Sequence, residues 1–64
     1  MFELYKVINS ELKFIENFHN FADAKNSIFG QVDGTYAVKL PNGKIKTWIK
    51  DHDSISFANV EINE

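Results

Sequence analysis

The sequence predicts an α+β fold: a small antiparallel sheet of four to five strands packed against one helix, with a C-terminal three-strand meander. Three observations predict it. Asn42-Gly43 stands between two alternating runs, the strongest short-range marker of a hairpin. Residues 2–8 are β-favouring and contain no helix start. Asn20, followed three residues later by Asp23, reads as an N-cap with an acidic first turn.

The first strand covers 2–8, and Asn9-Ser10 breaks it. The stretch 11–29 admits two readings. Projected at about 100° per residue, Phe14, Ile15, Phe18, Phe21, Ala22, Ile28 and Phe29 gather on one arc, as in a single long helix capped by Ser10 and stopped by Gly30. Against this, Leu12, Phe14 and Phe18 alternate with Lys13 and Asn17, while Asn17, His19 and Asn20 are indifferent helix formers. The favoured expectation is a strand over 11–18 and a short helix over 21–29.

Residues 35–40 and 44–50 are expected to pair as strands. Read as a two-residue loop, Asn42-Gly43 sets Leu40 opposite Ile45, Lys39 opposite Lys46, Val38 opposite Thr47, Ala37 opposite Trp48 and Tyr36 opposite Ile49. One face then collects Tyr36, Val38, Leu40, Ile45, Thr47 and Ile49 as core. The other collects Ala37, Lys39, Lys44, Lys46, Trp48 and Lys50, which puts the one tryptophan among lysines. After a turn at Asp51-His52-Asp53, residues 54–62 read as a last strand, with a bulge near Ala58-Asn59 returning Ile55, Phe57, Val60 and Ile62 to one face.

Composition bounds the rest. Sixty-four residues leave room for one domain, 1–64, and 44% hydrophobic with 25% charged residues is too apolar for a disordered segment. Net charge is −2, and cysteine is absent, which removes disulfides and thiolate chemistry. A reducing, cytoplasmic setting is expected. No apolar run approaches the roughly 20 residues of a membrane span, and Glu3 and Lys6 interrupt anything resembling a signal peptide. All seven basic residues are Lys, and Asn and Ile occur seven times each, a usage that suits an AT-rich genome such as that of a low-GC bacterium or a phage. Without Arg, forked recognition of guanine, phosphate or carboxylate is lost.

The candidate binding residues are Trp48, Lys39, Lys44, Lys46 and Lys50. Ammonium groups around an indole suit the acidic surface of a protein, with the ring as anchor, or a nucleic-acid backbone with a stacked base. The plainer alternative is a tryptophan covered by the chain itself, with lysine stems lying over it. A second surface follows if the first hairpin forms around Asn9-Ser10. Tyr5, Val7, Leu12, Phe14 and Phe18 would then share one face, and Phe2, Leu4, Ile8 and Ile15 the other, so that one apolar face is left for a second copy or a partner.

No catalytic, metal or cofactor constellation is visible. Asp51-His52-Asp53 is the only local cluster and reads as a solvated turn; His19 reads as a loop residue; and Gly30, Gly34 and Gly43 lack phosphate-loop spacing. The expected function is a small non-catalytic protein-binding module, an inhibitor or modulator of phage or low-GC bacterial type that occludes a partner's acidic surface. The alternatives are a non-specific or single-stranded nucleic-acid binder using the same residues, and a self-associating structural protein such as a homodimer, which would use Phe2, Leu4, Ile8 and Ile15 as an uncovered stripe.

Overall fold

The computed structural model describes residues 1–63. Asn9 and Ser10 both adopt left-handed backbone angles (φ 52° and 65°), as a two-residue hairpin turn requires. They join β1 (Phe2–Ile8) to β2 (Glu11–Phe18). The chain then enters α1 (Phe21–Ser27), where Asn20 Oδ1 accepts the Asp23 amide at 2.8 Å, and leaves through one 3-10 turn at Ile28–Gly30. The strand-plus-short-helix reading of 11–29 therefore holds. Three strands follow, β3 (Gly34–Lys39), β4 (Ile45–Asp51) and β5 (Ser54–Phe57), as a meander. All five strands form one antiparallel sheet in the order β2-β1-β3-β4-β5, with α1 on one face. Among the described residues, no helix is long and apolar enough to cross a membrane.

The core lies between that face and the helix. Leu4, Tyr36, Val38 and Trp48 from the sheet meet Ala24 from α1 and Ile28 just after it, and Phe2, Ile15, Phe18, Phe21, Leu40 and Ile55 pack around them. The buried Tyr36 hydroxyl donates to the Val32 carbonyl at 2.6 Å, so its polar end is satisfied.

Three expectations are corrected. The first concerns the register of β3 and β4. The pairs are Lys39 with Ile45, Val38 with Lys46, Ala37 with Thr47, Tyr36 with Trp48 and Gly34 with Lys50, one residue away from the expected set. Pro41 is the cause. A two-residue loop at 42–43 would pair Pro41 with Lys44, yet proline has no N–H for that bond. The Leu40 amide instead donates to the Lys44 carbonyl at 2.8 Å, and the Gly43 amide to the Leu40 carbonyl at 2.9 Å. Pro41 takes the position after the first turn residue, which its ring prefers, and Gly43 takes the left-handed one (φ 89°). The result is a three-residue loop, and a one-residue slip reverses every facing.

The second correction is in β2. Its pairing with β1 shifts between Leu4 and Tyr5, so that Leu4 faces Glu16 and Tyr5 faces Phe14, with Ile15 as the extra residue. Phe18 consequently pairs with Phe2 on the helix side, away from the Tyr5 face on which it was expected.

The third is at the C-terminus. β5 stops at Phe57, and the expected bulge at 58–59 is instead a departure to the other face. The Ala58 amide donates to the Thr47 carbonyl at 3.1 Å, the Thr47 hydroxyl donates to the Ala58 carbonyl, and the Asn63 amide reaches the Ser10 carbonyl at 2.6 Å, where Asn63 pairs in parallel with Glu11. Residues 58–63 thus form a strap from β4 across β3 and β1 to β2. Three strand spacings amount to about 14 Å, and five residue steps reach about 17 Å when extended.

Candidate functional site

The slip in register decides where each candidate residue goes. Trp48 now shares a face with Tyr36 and Val38 and is 4% exposed, so its expected place outside the core is corrected. Lys46 and Lys50 lie on this helix side with it, whereas Lys39 pairs with Ile45 and Glu3 on the opposite side. Lys44 is exposed at the hairpin end. The five residues are therefore not one surface.

Lys50 is the second surprise, being 8% exposed. Its Nζ donates to the His52 carbonyl at 2.7 Å and lies 3.3 Å from Asp33 Oδ1. That same oxygen accepts the His52 amide at 3.0 Å. One carboxylate from the loop before β3 thus fastens the β4–β5 turn, where His52 sits at φ 55°. Desolvation is the largest single influence on the Asp33 carboxyl and disfavours its anion, but the hydrogen bonds from Lys50 and His52 and their charges together outweigh it and hold its pKa below the ordinary 3.8.

The donor atoms of Asp33, Asp51 and His52 lie within 4.8 Å of one another. Sequence reasoning saw only the last two. Asp33, distant in sequence, gave no spacing signal. All three are exposed, and the Lys50 ammonium already supplies the positive charge Asp33 attracts. Through Asp33 the arrangement fastens the β4–β5 turn.

Around the buried indole, the helix side shows a different grouping. Phe2, Phe21, Trp48 and Phe57 form a row of rings with centroid spacings of 6.1, 5.7 and 6.2 Å. Lys46 Nζ lies 5.5 Å from the Phe21 centroid and Lys25 Nζ 5.9 Å from that of Trp48, within cation–π range. Phe57, the open end of the row, is 62% exposed. Among the described residues neither Lys25 nor Lys46 has a carboxylate within salt-bridge distance. Sequence reasoning found Lys46 here but missed Lys25 and Phe57. Phe57 was read as an inward residue, and only its place on a four-residue edge strand exposes it.

The opposite face carries Tyr5, Val7, Leu12, Phe14, Ile45 and Ile49, beside the buried Ala37 and Thr47. Apart from Phe18, the hairpin residues on this face are those expected to share one. The stripe expected to stay uncovered, Phe2, Leu4, Ile8 and Ile15, is corrected: it lies on the helix side, with Leu4 buried and Phe2 and Ile15 packed against the core. Phe14 meets Tyr5 edge-on at 5.7 Å and is itself 58% exposed. The Tyr5 hydroxyl donates to Glu3 Oε1; this bond first, then burial, then the Glu3 charge push its pKa up to about 12. Because the folded value exceeds the ordinary 10.0, the stabilising effect is present below pH 10 and fades as pH rises toward 12. The Tyr36 phenol is raised as well, by burial and then by Asp33. Near-ultraviolet titration is expected to show Glu3→Gln returning Tyr5 alone toward its ordinary value. An unchanged titration would remove Glu3 as the cause.

Comparison with protein-family models, curated proteins and solved structures finds no match.

Proposed function

We propose that the protein is a small non-catalytic binding module that covers an acidic surface of a partner protein and so inhibits or modulates it. One observation carries the reading: Lys25 and Lys46 are held over a row of aromatic rings whose last member, Phe57, is open to solvent. An exposed aromatic ring is of the kind enriched at protein interfaces, and ammonium groups beside it supply charge complementarity to an acidic partner. The rings fix the ammonium groups without neutralising them, which leaves both charges for carboxylates across an interface. Trp48 supports the patch from beneath. Lys44, exposed at the end of the hairpin, adds a charge close to Lys46 in sequence.

The test is capture from cells of the source organism, comparing wild type with Phe57→Ala and with Lys25→Glu/Lys46→Glu. Both variants alter exposed or half-exposed side chains, and their folding is checked by near-UV circular dichroism. The same protein should be recovered at least about tenfold less by each variant, which corresponds to about 1.4 kcal/mol. Equal recovery would leave the patch without a role. Binding of a single-stranded oligonucleotide at low salt, abolished by the charge reversal and by added salt, would transfer the patch to nucleic acid.

A further inference from the structure

The second sheet face has one occupant in the structure, the chain's own strap at 58–63. Along it Ala58, Val60 and Ile62 are half-buried while Asn59, Glu61 and Asn63 are exposed, the alternation of an extended segment laid on a surface. Backbone bonds hold it at Ala58 and Asn63 only; among the described residues none holds 59–62. The strap also fits loosely. A cleft of about 250 Å³ remains between it and the sheet, lined by Ile45, Thr47, Asn59, Val60 and Ile62. On either side the face continues as apolar surface, with Phe14 58% and Ile49 44% exposed.

We propose that this face is a docking groove for an extended peptide segment bearing apolar side chains two residues apart, and that the strap is its built-in competitor. The strap shows what the groove accepts: Val60 and Ile62 as the two apolar side chains, and a backbone amide donated to the Ser10 carbonyl. The open cleft implies room for a side chain larger than valine at the first of these positions. Segments with few backbone bonds and half-buried side chains open locally ahead of the rest of a domain. A partner's segment that lays its own apolar side chains over Ala37 and Thr47 therefore replaces the strap without unfolding the sheet. This groove lies across the sheet from Lys25, Lys46 and Phe57, so its test is independent of the reading above.

The experiment uses the full chain and a labelled peptide with the sequence of residues 58–63. Val60→Asp/Ile62→Asp places charges under the strap and releases it. The peptide should bind this variant at least about tenfold more tightly than wild type, because a tethered segment competes at an effective concentration in the millimolar range. A peptide with aspartate at both apolar positions should bind neither. Equal affinity for the two chains, or none for either, overturns the proposal. So does a variant that loses its near-UV signal, since the strap would then belong to the cooperative core. Dimerisation of the variant in sedimentation, without peptide binding, assigns the face to a second copy instead. In wild type, the Asn63 amide should exchange with solvent at least about tenfold faster than the amides of β3; equal rates also overturn it.

Discussion

Trp48→Ala is expected to unfold the protein. The indole is 4% exposed and touches both Phe21 and Phe57, so its truncation removes a large apolar side chain from the centre of a small core. Such truncations cost about 3–5 kcal/mol. A chain of 64 residues has roughly 3–10 kcal/mol in total at typical stability per residue. The loss is thus of the same order as the whole. Collapse of the surroundings into the cavity offers little relief, because Tyr36, Val38 and Leu4 are fixed in the sheet and Ala24 and Ile28 are already small or fully enclosed. In urea, the midpoint should fall most of the way to zero, and near-UV circular dichroism should flatten. Phe57→Ala, two ring spacings from Phe21 but 62% exposed, should lower stability by about 1 kcal/mol or less. A Trp48→Ala chain as stable as Phe57→Ala would mean that the ring row does not organise the core. Loss of binding in Trp48→Ala would reflect unfolding, which is why Phe57 and the two lysines carry the functional test.

Local chemistry was legible in the sequence wherever a residue's own hydrogen bonds decide the backbone. Asn20 caps α1 because its side chain reaches the Asp23 amide, and the same short-range logic placed the Asn9-Ser10 turn and separated β2 from the helix. The hairpin at 42–43 was legible too, but its length was not, for Asn-Gly favours a two-residue loop and Pro41 forbids the bond that loop needs. That one proline decides the facing of Trp48. The Ile15 bulge and the turn of the chain at Ala58 share a different cause: each depends on which face of the sheet is already filled, and that is known only when all five strands are assembled. Lys50 misled for a similar reason. A lysine in an alternating strand reads as solvent-facing, and nothing nearby in sequence announces Asp33 as its partner.

Two lysines on the same face of β4 should therefore answer differently to the same substitution. Lys50→Met keeps the apolar stem and deletes the ammonium, leaving the His52 carbonyl without its 2.7 Å donor and Asp33 with only one of its two bonds. Hydrogen bonds from charged groups contribute about 1.5–3 kcal/mol when the donor is buried, as Lys50 is. Lys46→Met removes a charge that faces solvent beside Phe21, and a change within about 0.5 kcal/mol is expected. Chemical denaturation at neutral pH should separate the two variants clearly. Acid should bring them together. The folded Asp33 carboxyl titrates below its unfolded value, so its pairing with Lys50 is complete above the ordinary 3.8 and disappears as pH falls through the lower, folded value. Wild type should lose stability over that window, Lys50→Met should lose less, and the gap between them should narrow. A gap that stays constant from neutral pH down to acid would place the role of the Lys50 ammonium in its bond to the His52 carbonyl alone, and would remove its pairing with the carboxylate from the fastening of the turn.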